Sequence, residues 1–409
     1  ALRPGSCLYF TLWVVLLSIF LDNGTHGAPK SCTISLLDKV PEKGEPIYLR
    51  TGKNGSMSGL EISGPFTRIE IGESLAIFCP GDEQQLKTIK CGADFDLTKY
   101  ACTGSTTTET VETQEACGGG GKWYKVGFPL PTGDFHTIYR TCFDKVKLTP
   151  LYSFHVLNGK AVGYHVKQIR SGFRTSKGIY GKVRINELYK THISRFKKVF
   201  GSGQKFFRKP LHYLARGHLS PEVDFTFGTE QHATEIYINT APQFQSINQG
   251  NWLRVENHVR NLAKLLQDSV LVVTGILGVL KLKNSRAEQE IYLGDRVIPV
   301  PIVFWKAVFY PKKAEAIVFV GSNNPHENIF NPGCRGVCTE AGFGDAQHPK
   351  QNFANHSIGL TVCCNVVDFV KGTNVILPEE LNYKNYKKLL KLPGNINKDD
   401  TVHRKRPRA

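Results

Sequence analysis

The clearest periodic pattern in the chain lies between residues 250 and 267. Apolar side chains recur there at every third or fourth position, which is the spacing of one face of an α-helix. They are Trp252, Val255, Val259, Leu262, Leu265 and Leu266. Gly250 stands at the start of the run and Asp268 just beyond it. The pattern therefore predicts an amphipathic helix over residues 250–267.

Shorter apolar runs predict β-strands on both sides of this helix. Residues 47–50 and 75–78 are such runs between turns rich in Gly, Thr and Ser, and residues 272–275 predict a core strand. Four consecutive glycines at 118–121 predict a flexible loop. From 151 to 385, strands and helices mix without a regular βαβ repeat. This favours an α+β fold over a doubly wound parallel sheet.

The ends of the chain differ from its middle in composition. Residues 8–21 are almost wholly apolar and follow Arg3, which predicts a secretory signal peptide over 1–27, too short to span a membrane. We expect a disulfide-rich, mainly β accessory domain over 28–150 and a second domain over 151–385. Residues 386–409 are predicted to form a basic, disordered tail. The protein is therefore expected to be secreted, without a membrane segment.

The cysteines support an extracellular location. Of the 11 cysteines, Cys7 lies in the signal, which leaves an even number. Six fall before residue 150 and four after 330: Cys32, Cys79, Cys91, Cys102, Cys117, Cys142, Cys334, Cys338, Cys363 and Cys364. We expect two separate disulfide groups, of three bridges and of two. A zinc site formed by the last four is the alternative. The sequons at Asn54 and Asn355 are then candidate glycosylation sites.

The net charge of +17 is concentrated in one segment. Between Lys167 and Arg216 we count fourteen Lys or Arg against a single acid, Glu187, with aromatic residues interleaved. A polyanion such as DNA or RNA is the natural partner, because neutralising phosphates releases counterions. The alternative is a solvated surface that keeps a secreted protein soluble.

A candidate catalytic set follows this basic segment. His218 ends an apolar run beside Arg216, and Asn248 and Glu256 follow at the predicted helix. His218 is a candidate general base and Arg216 a clamp for phosphate. Asn248 would bind a divalent cation through its carbonyl oxygen, and Glu256 would act through water. The set suits hydrolysis of a phosphodiester with a hydrated Mg²⁺ ion, for which Mn²⁺ can substitute.

Each of these residues also has a structural interpretation. A single histidine in a strand is usually part of the packing, Asn248 would cap a helix, and Glu256 would be a solvated helix residue. Trp252 is most simply a core residue. The order and spacing of the whole set favour the catalytic interpretation.

The motifs Ala215-Arg216-Gly217-His218 and Asn248-Gln249-Gly250, followed by Trp252 and Glu256, resemble the DNA/RNA non-specific endonucleases. These are the ββα-metal, or His-Me finger, nucleases. The similarity continues through residues 237–243, 272–275 and 300–306, and it covers roughly residues 150–380. It implies that 151–385 is a non-specific endonuclease domain with the ββα-metal fold. The expected products carry 5′-phosphates.

The resemblance also implies nucleic-acid contacts at Asn239 and Gln243. Arg170 or Arg174 would replace an arginine that the family uses on the phosphate, and we add Lys197 and Lys198 as candidate contacts. Where the family has an aspartate, this chain has Ala215, which predicts weaker metal binding. The variant motif and the Cys-rich N-terminal region are similar to the family's secreted arthropod branch. That branch includes duplex-preferring digestive nucleases and salivary nucleases of blood-feeding insects.

Two other functions compete with this interpretation. A polyanion-binding protein on a nuclease fold would use the basic segment without cutting, and EDTA would leave its binding intact. A zinc hydrolase would need a ligand set such as His-Glu-x-x-His, which the sequence lacks. The sequence leaves open the preference for DNA or RNA, the oligomeric state and the role of the N-terminal region.

Overall fold

The structure is a computed structural model that describes residues 31–35, 41, 44–52, 55–70, 73–80, 86–90, 97–103, 107–166, 172–284 and 287–394. The predicted signal peptide, Asn54, Arg170 and residues 395–409 lie outside these ranges. Among the described residues, none of the helices combines the length and apolar character needed to cross a membrane.

The N-terminal part consists of short strands in two small antiparallel sheets. The strands are β1 (Ser31–Ser35), β2 (Ile47–Thr51), β3 (Met57–Gly59), β4 (Phe66–Glu70), β5 (Ser74–Phe78) and β6 (Lys87–Lys90). β1 pairs with β4, and the other four form a sheet in the order β3-β2-β5-β6. The predicted strands at 47–50 and 75–78 are thus confirmed as β2 and β5. We call residues 31–103 the N-terminal unit.

The rest of the described chain contains the long strands and all five α-helices. These elements are β7 (Glu109–Gly118), β8 (Gly121–Pro129), β9 (Phe135–Asp144), β10 (Thr149–Asn158), α1 (Ile185–Phe200), β11 (Leu214–His218), α2 (Gly228–Thr234), β12 (Thr240–Phe244), α3 (Gln245–Asn248), α4 (Asn251–Leu266), β13 (Ser269–Leu277), β14 (Lys281–Lys283), β15 (Glu288–Glu290), β16 (Tyr292–Leu293), β17 (Ile298–Pro299), β18 (Val303–Tyr310), β19 (Glu315–Ser322), β20 (Thr361–Cys364), α5 (Val366–Thr373) and β21 (Lys388–Leu389). The mixture without a βαβ repeat confirms the α+β prediction.

One nine-stranded sheet organises this region. Its order is β20-β19-β18-β13-β10-β9-β8-β7, with β21 added in parallel to β19, while the other neighbours are antiparallel. The predicted strand at 272–275 lies in β13, at the centre of the sheet. The predicted helix at 250–267 is α4, which ends where Gln267 takes a left-handed conformation with φ 51°.

The sheet extends beyond both predicted domain boundaries. The boundary at residue 150 falls inside β10, which pairs with β9 on one side and β13 on the other. We therefore propose a boundary near residue 108, between the N-terminal unit and β7. The glycines at 118–121, predicted to be a loop, form the tight turn between β7 and β8.

The first residues of the predicted tail form part of the fold. β21 adds Lys388 and Leu389 to the sheet, and Leu390 is fully buried. Hydrogen bonding and apolar burial therefore order the chain beyond residue 386.

Four disulfides join described cysteines: Cys79–Cys102, Cys117–Cys142, Cys334–Cys364 and Cys338–Cys363. Each bridge stays within one of the two predicted groups. The last two use the four cysteines that were the alternative zinc ligands, so those thiols are oxidised partners rather than metal ligands. Cys91 lies outside the described residues.

Candidate active site

Strands β11 and β12 form a two-stranded antiparallel hairpin that carries the predicted catalytic residues. The register pairs Leu214 with Phe244 and His218 with Thr240. Because alternate residues of a strand share a face, Arg216 and His218 project to the same side. The structure therefore brings these two predicted residues together, as the motif requires.

Gly217, between Arg216 and His218, has no room for a side chain. A Cβ atom at Gly217 would lie 2.6 Å from Gln243 Oε1 and 2.8 Å from Gln243 Cβ. Ala215 pairs directly with Gln243, so both lie on the face opposite His218. The position where the family has aspartate is thus turned away from the imidazole.

Helix α1 holds β11 in place through His192. The buried His192 ring donates from Nδ1 to Tyr189 O at 2.6 Å and accepts at Nε2 from Leu214 N at 3.0 Å. Burial lowers the pKa of His192, which favours the neutral ring that this pattern needs. From the same helix, Asn186 Oδ1 accepts from Arg216 Nη2 at 2.6 Å.

Asn248 is the last residue of α3, and α3 packs against both strands of the hairpin. Its Nδ2 donates to Gln245 Oε1 at 3.3 Å, which turns Oδ1 to the other side of the amide. The N-cap residue of α4 is Gly250, so Asn248 does not cap that helix. A Cβ at Gly250 would lie 2.3 Å from Ser246 O and 2.6 Å from Ile358 O, so only glycine fits this turn.

Glu256 lies in the second turn of α4, so Asn248 and Glu256 stand on two separate helices, α3 and α4. Its carboxylate lies 3.9 Å from Arg260 Nη2, one turn further on, and Arg260 Nη1 donates to Asp224 Oδ1 at 2.8 Å. Arg260 therefore links the predicted carboxylate to the segment between β11 and β12. Sequence reasoning missed Arg260, although an arginine four residues after Glu256 is a signal for a helical ion pair.

A buried hydrogen-bond network continues from Asp224. His155 Nε2 donates to Asp224 Oδ2 at 3.0 Å, and His155 Nδ1 accepts from Ser220 Oγ at 3.0 Å. Burial alone would raise the pKa of Asp224, but the hydrogen bond from His155 and the charge of Arg260 outweigh it and hold that pKa well below its usual range. Burial lowers the pKa of His155, so a neutral ring accounts for both of its bonds. These contacts fix the chain two residues beyond His218.

Lys306, on β18 of the central sheet, also holds the chain that follows His218. This lysine is 1% exposed, and its Nζ donates to Leu219 O at 3.4 Å and to Thr274 Oγ1. Burial lowers its pKa, whereas the charges of Asp224 and Glu256 favour the ammonium form. A lysine inside the apolar run 303–310 was the sequence signal for this role. The peptide that follows His218 is thus anchored to β18.

Three of the predicted nucleic-acid contacts are buried or half-buried in the structure. Asn239 is 0% exposed; it accepts from Ser220 N and donates to Ser220 O and Thr234 O. Gln243 is also 0% exposed, behind Gly217. Arg174 is half-buried and donates to His232 O at 2.7 Å. Asn239 and Arg174 thus donate hydrogen bonds to backbone carbonyls.

In the basic segment the charged side chains are mainly exposed, whereas most of the aromatic side chains are buried. Lys197 and Lys198 are exposed on α1, whose inner face buries Tyr189 and Phe196. The interleaved aromatics are therefore mainly core residues rather than a stacking surface for bases. The exposed lysines are positive charges on the element that braces the catalytic strand.

The donors at this site fit a hydrated divalent cation. The part of the chain that the structure describes has no cluster of three or more His, Cys, Asp or Glu suited to a metal. A metal here would rely on the Asn248 amide oxygen, the Glu256 carboxylate and water. Mg²⁺ accepts few protein ligands and retains several waters, so this donor set suits it.

Comparison with known proteins identifies the family of this chain. The profile of the DNA/RNA non-specific endonuclease family matches residues 119–369. A salivary endonuclease of Lutzomyia longipalpis is 61% identical over 98% of this chain and 99% of its own length. Salivary protein Tsal1 of Glossina morsitans morsitans is 27% identical over 88% and 95%. A salivary endonuclease of Culex quinquefasciatus is 26% identical over 73% and 78%.

The matched residues 119–369 contain the hairpin, α4 and the buried network, and they begin within the central sheet at the turn before β8. Members of this family generally depend on a divalent metal ion. By this match, and by the near-complete alignment with a 61% identical relative, the chain belongs to the DNA/RNA non-specific endonuclease family.

Proposed function

We propose that this protein is a secreted, Mg²⁺-dependent endonuclease that hydrolyses phosphodiester bonds of DNA, with RNA as a second substrate. The observation that carries the proposal is the shared face of Arg216 and His218 on the β11–β12 hairpin, with Asn248 on the helix that follows β12. Salivary relatives support secretion and suggest that extracellular host DNA is a substrate.

In this mechanism His218 is the general base. Its imidazole takes the proton from the attacking water, the usual role of a histidine in acid–base catalysis. The Arg216 guanidinium binds a non-bridging phosphate oxygen; Tyr237 and Asn186 engage two of its five N–H groups. The products carry 5′-phosphates.

Asn248 Oδ1 would hold the Mg²⁺ directly, and Glu256 would accept hydrogen bonds from the water around it. When bound there, the ion supplies electrostatic stabilisation of the phosphate and of the departing 3′ oxygen. The Glu256 carboxylate lies 3.9 Å from Arg260 Nη2 and also interacts electrostatically with Lys306. Contacts to phosphate carry no base information, so sequence specificity should be low.

The test is digestion of plasmid DNA and of RNA, with Mg²⁺ and with EDTA. The native protein should cut internally only with the metal, and His218→Ala should lose about 10²–10⁴-fold in rate while still binding DNA in EDTA. His136→Ala is a matched control, because His136 is a half-buried histidine that packs against Gly59 in the N-terminal unit. If both native and His218→Ala proteins bind DNA and neither cuts, the protein is a polyanion-binding member of the family.

A further inference from the structure

Phe173 contacts both members of the Arg216–His218 pair. Its ring centroid lies 5.2 Å from that of the His218 imidazole, with 41° between the planes. The Cζ atom of Arg216 lies 5.2 Å from the same ring. Phe173 is half-buried, so it forms part of the wall of the site rather than of the deep core.

The position of Phe173 is fixed from outside the catalytic strand. Arg174, the next residue, forms a parallel bridge with Ile236. Its backbone N–H donates to Glu235 O at 3.0 Å, and its carbonyl accepts from Tyr237 N at 3.0 Å. The Arg174 side chain adds a bond to His232 O at 2.7 Å. Phe173 is therefore held through its neighbour Arg174 by the chain that follows α2, and its ring also lies 5.7 Å from that of Tyr237.

Arg216 lies among three aromatic rings. Besides Phe173, its Cζ is 4.8 Å from the Tyr189 ring and 5.5 Å from the Tyr237 ring. Its Nε donates to Tyr237 Oη at 3.1 Å. Cation–π attraction holds a guanidinium over ring faces, and it requires an aromatic ring rather than bulk alone. Phe173 also contacts the imidazole, so it joins the phosphate-binding group to the base.

We propose that Phe173 is a positioning residue that sets the orientation of the His218 imidazole relative to the Arg216 guanidinium. The inference rests on the proposed nuclease function. The ring limits rotation of the imidazole on one side and holds the guanidinium on the other. A displacement of about 1 Å between reacting groups costs about 10²-fold in rate, so loss of the ring should reduce turnover more than substrate binding.

The experiment compares Phe173→Leu with Phe173→Tyr in the full chain. The Leu variant should lose about 10–100-fold in kcat on plasmid DNA, with DNA affinity in EDTA within about twofold of native. The Tyr variant keeps the ring and should recover kcat to within about threefold of native. Phe206→Leu is the matched control: Phe206 is also half-buried and its ring lies 5.3 Å from that of His326. That control should leave kcat unchanged.

A second readout does not depend on activity. The ¹³Cε1 resonance of His218, assigned by its absence in His218→Ala, should broaden in Phe173→Leu, because the imidazole then samples more than one orientation, and it should keep its native line width in Phe173→Tyr. It should also keep that line width in Phe206→Leu. If the native protein fails to cut nucleic acid, the proposed function falls, while this resonance still reports whether Phe173 orders the imidazole.

Three results would overturn the inference. The first is native kcat in Phe173→Leu. The second is an equal loss in the Leu and Tyr variants, or a loss matched by lower DNA affinity or by thermal unfolding, which would mark a merely structural role. The third is a native line width of the His218 resonance in Phe173→Leu. A loss of kcat in Phe173→Leu that is rescued in Phe173→Tyr, together with the broadened resonance, supports the inference.

Discussion

The two faces of the central sheet are built from the same strands but have different chemistry. Along β18, Phe304, Lys306 and Val308 point to the face that carries α4 and the catalytic hairpin, whereas Trp305 and Phe309 point to the other. The first face buries polar side chains: Ser153, His155, Thr274 and Lys306. The other is almost wholly apolar in its interior and has two disulfides, Cys117–Cys142 and Cys334–Cys364, at its margin.

This difference indicates how the fold separates stability from function. Buried polar groups are costly unless they are paired, and Ser153, His155, Thr274 and Lys306 are paired with one another or with the chain that follows β11. The apolar face has no comparable network among its described residues, and it gains stability by packing and by cross-links. Substitutions on the two faces should therefore have separable effects on turnover and on unfolding.

The largest effect is expected for Asp224→Asn on the catalytic face. The change leaves the buried Arg260 with only the more distant Glu256 carboxylate, at 3.9 Å; breaking a buried ion pair in this way typically costs about 3–5 kcal/mol of unfolding free energy. Because Arg260 also reaches Glu256, kcat of the folded fraction should fall at least about 10-fold. Urea unfolding and plasmid digestion at low temperature measure the two effects.

Asp268→Asn is the matched control for this prediction. Asp268 pairs with the exposed Lys312 at the surface, at 3.1 Å, so its loss should change stability little and kcat not at all. Equal behaviour of the two variants would contradict a special role for the buried network.

Phe369→Ala on the apolar face should destabilise without lowering kcat. Phe369 is fully buried on α5 and its ring lies 5.6 Å from that of Trp305. Truncation leaves a cavity that costs about 3 kcal/mol or more. Below the unfolding transition, kcat per folded molecule should equal that of the native protein. A tenfold fall in kcat would contradict the expectation that substitutions on the apolar face change stability without changing turnover.

A smaller, pH-dependent effect is expected where the N-terminal unit meets the catalytic face. Phe227 is 3% exposed and packs into the N-terminal unit, with its ring 4.9 Å from that of Tyr48. Next to it, Glu45 Oε2 accepts from Thr229 N at 3.2 Å. Burial, and then the charge of Glu230, raises the pKa of Glu45 from 4.5 to about 8. Burial likewise raises the pKa of Glu230 to about 7.

The direction in which stability changes with pH follows from proton uptake by Glu45 in the folded state. Between pH 4.5 and about 8 the folded state binds more protons at Glu45 than the unfolded state does, so unfolding free energy falls as pH rises. Glu45→Gln removes this penalty. Compared with native, its stability should therefore improve by on the order of 2 kcal/mol between pH 5 and pH 9. Thermal unfolding at both pH values measures this, with exposed Glu61→Gln as control. A pH-independent difference would refute it.

The smallest effect on stability is expected for the surface charges. The double variant Lys197→Ala, Lys198→Ala should change unfolding free energy by less than about 0.5 kcal/mol. The slope of log affinity for DNA against log salt should fall by about 1 per lysine that meets a phosphate. The control is the double variant Lys371→Ala, Lys384→Ala. It removes two exposed lysines from the side of α5 and should leave the slope unchanged. Equal falls would mean that DNA also binds the apolar side.

Local sequence patterns were sufficient to predict several of the structural elements. The helical spacing from Trp252 to Leu266 predicted α4 to within a residue at each end, because an amphipathic helix depends on contacts three and four positions apart. The grouping of the cysteines was also correct for the four described bridges. The boundary at 150 was missed, because nothing local to β10 indicates that it pairs with β13, more than a hundred residues later.

For the site, the order of residues in the sequence indicated the chemistry, and the tertiary structure determined where each side chain lies and which groups it contacts. Arg216 and His218 share a face because they are two residues apart in a strand, which sequence alone determines. That Asn239 and Gln243 are buried, and that Arg260, Asp224 and Lys306 converge on the chain beyond His218, depends on pairings 36 and 87 residues apart. Side-chain identity is local, but burial and electrostatic partnership arise only when distant strands and helices pack.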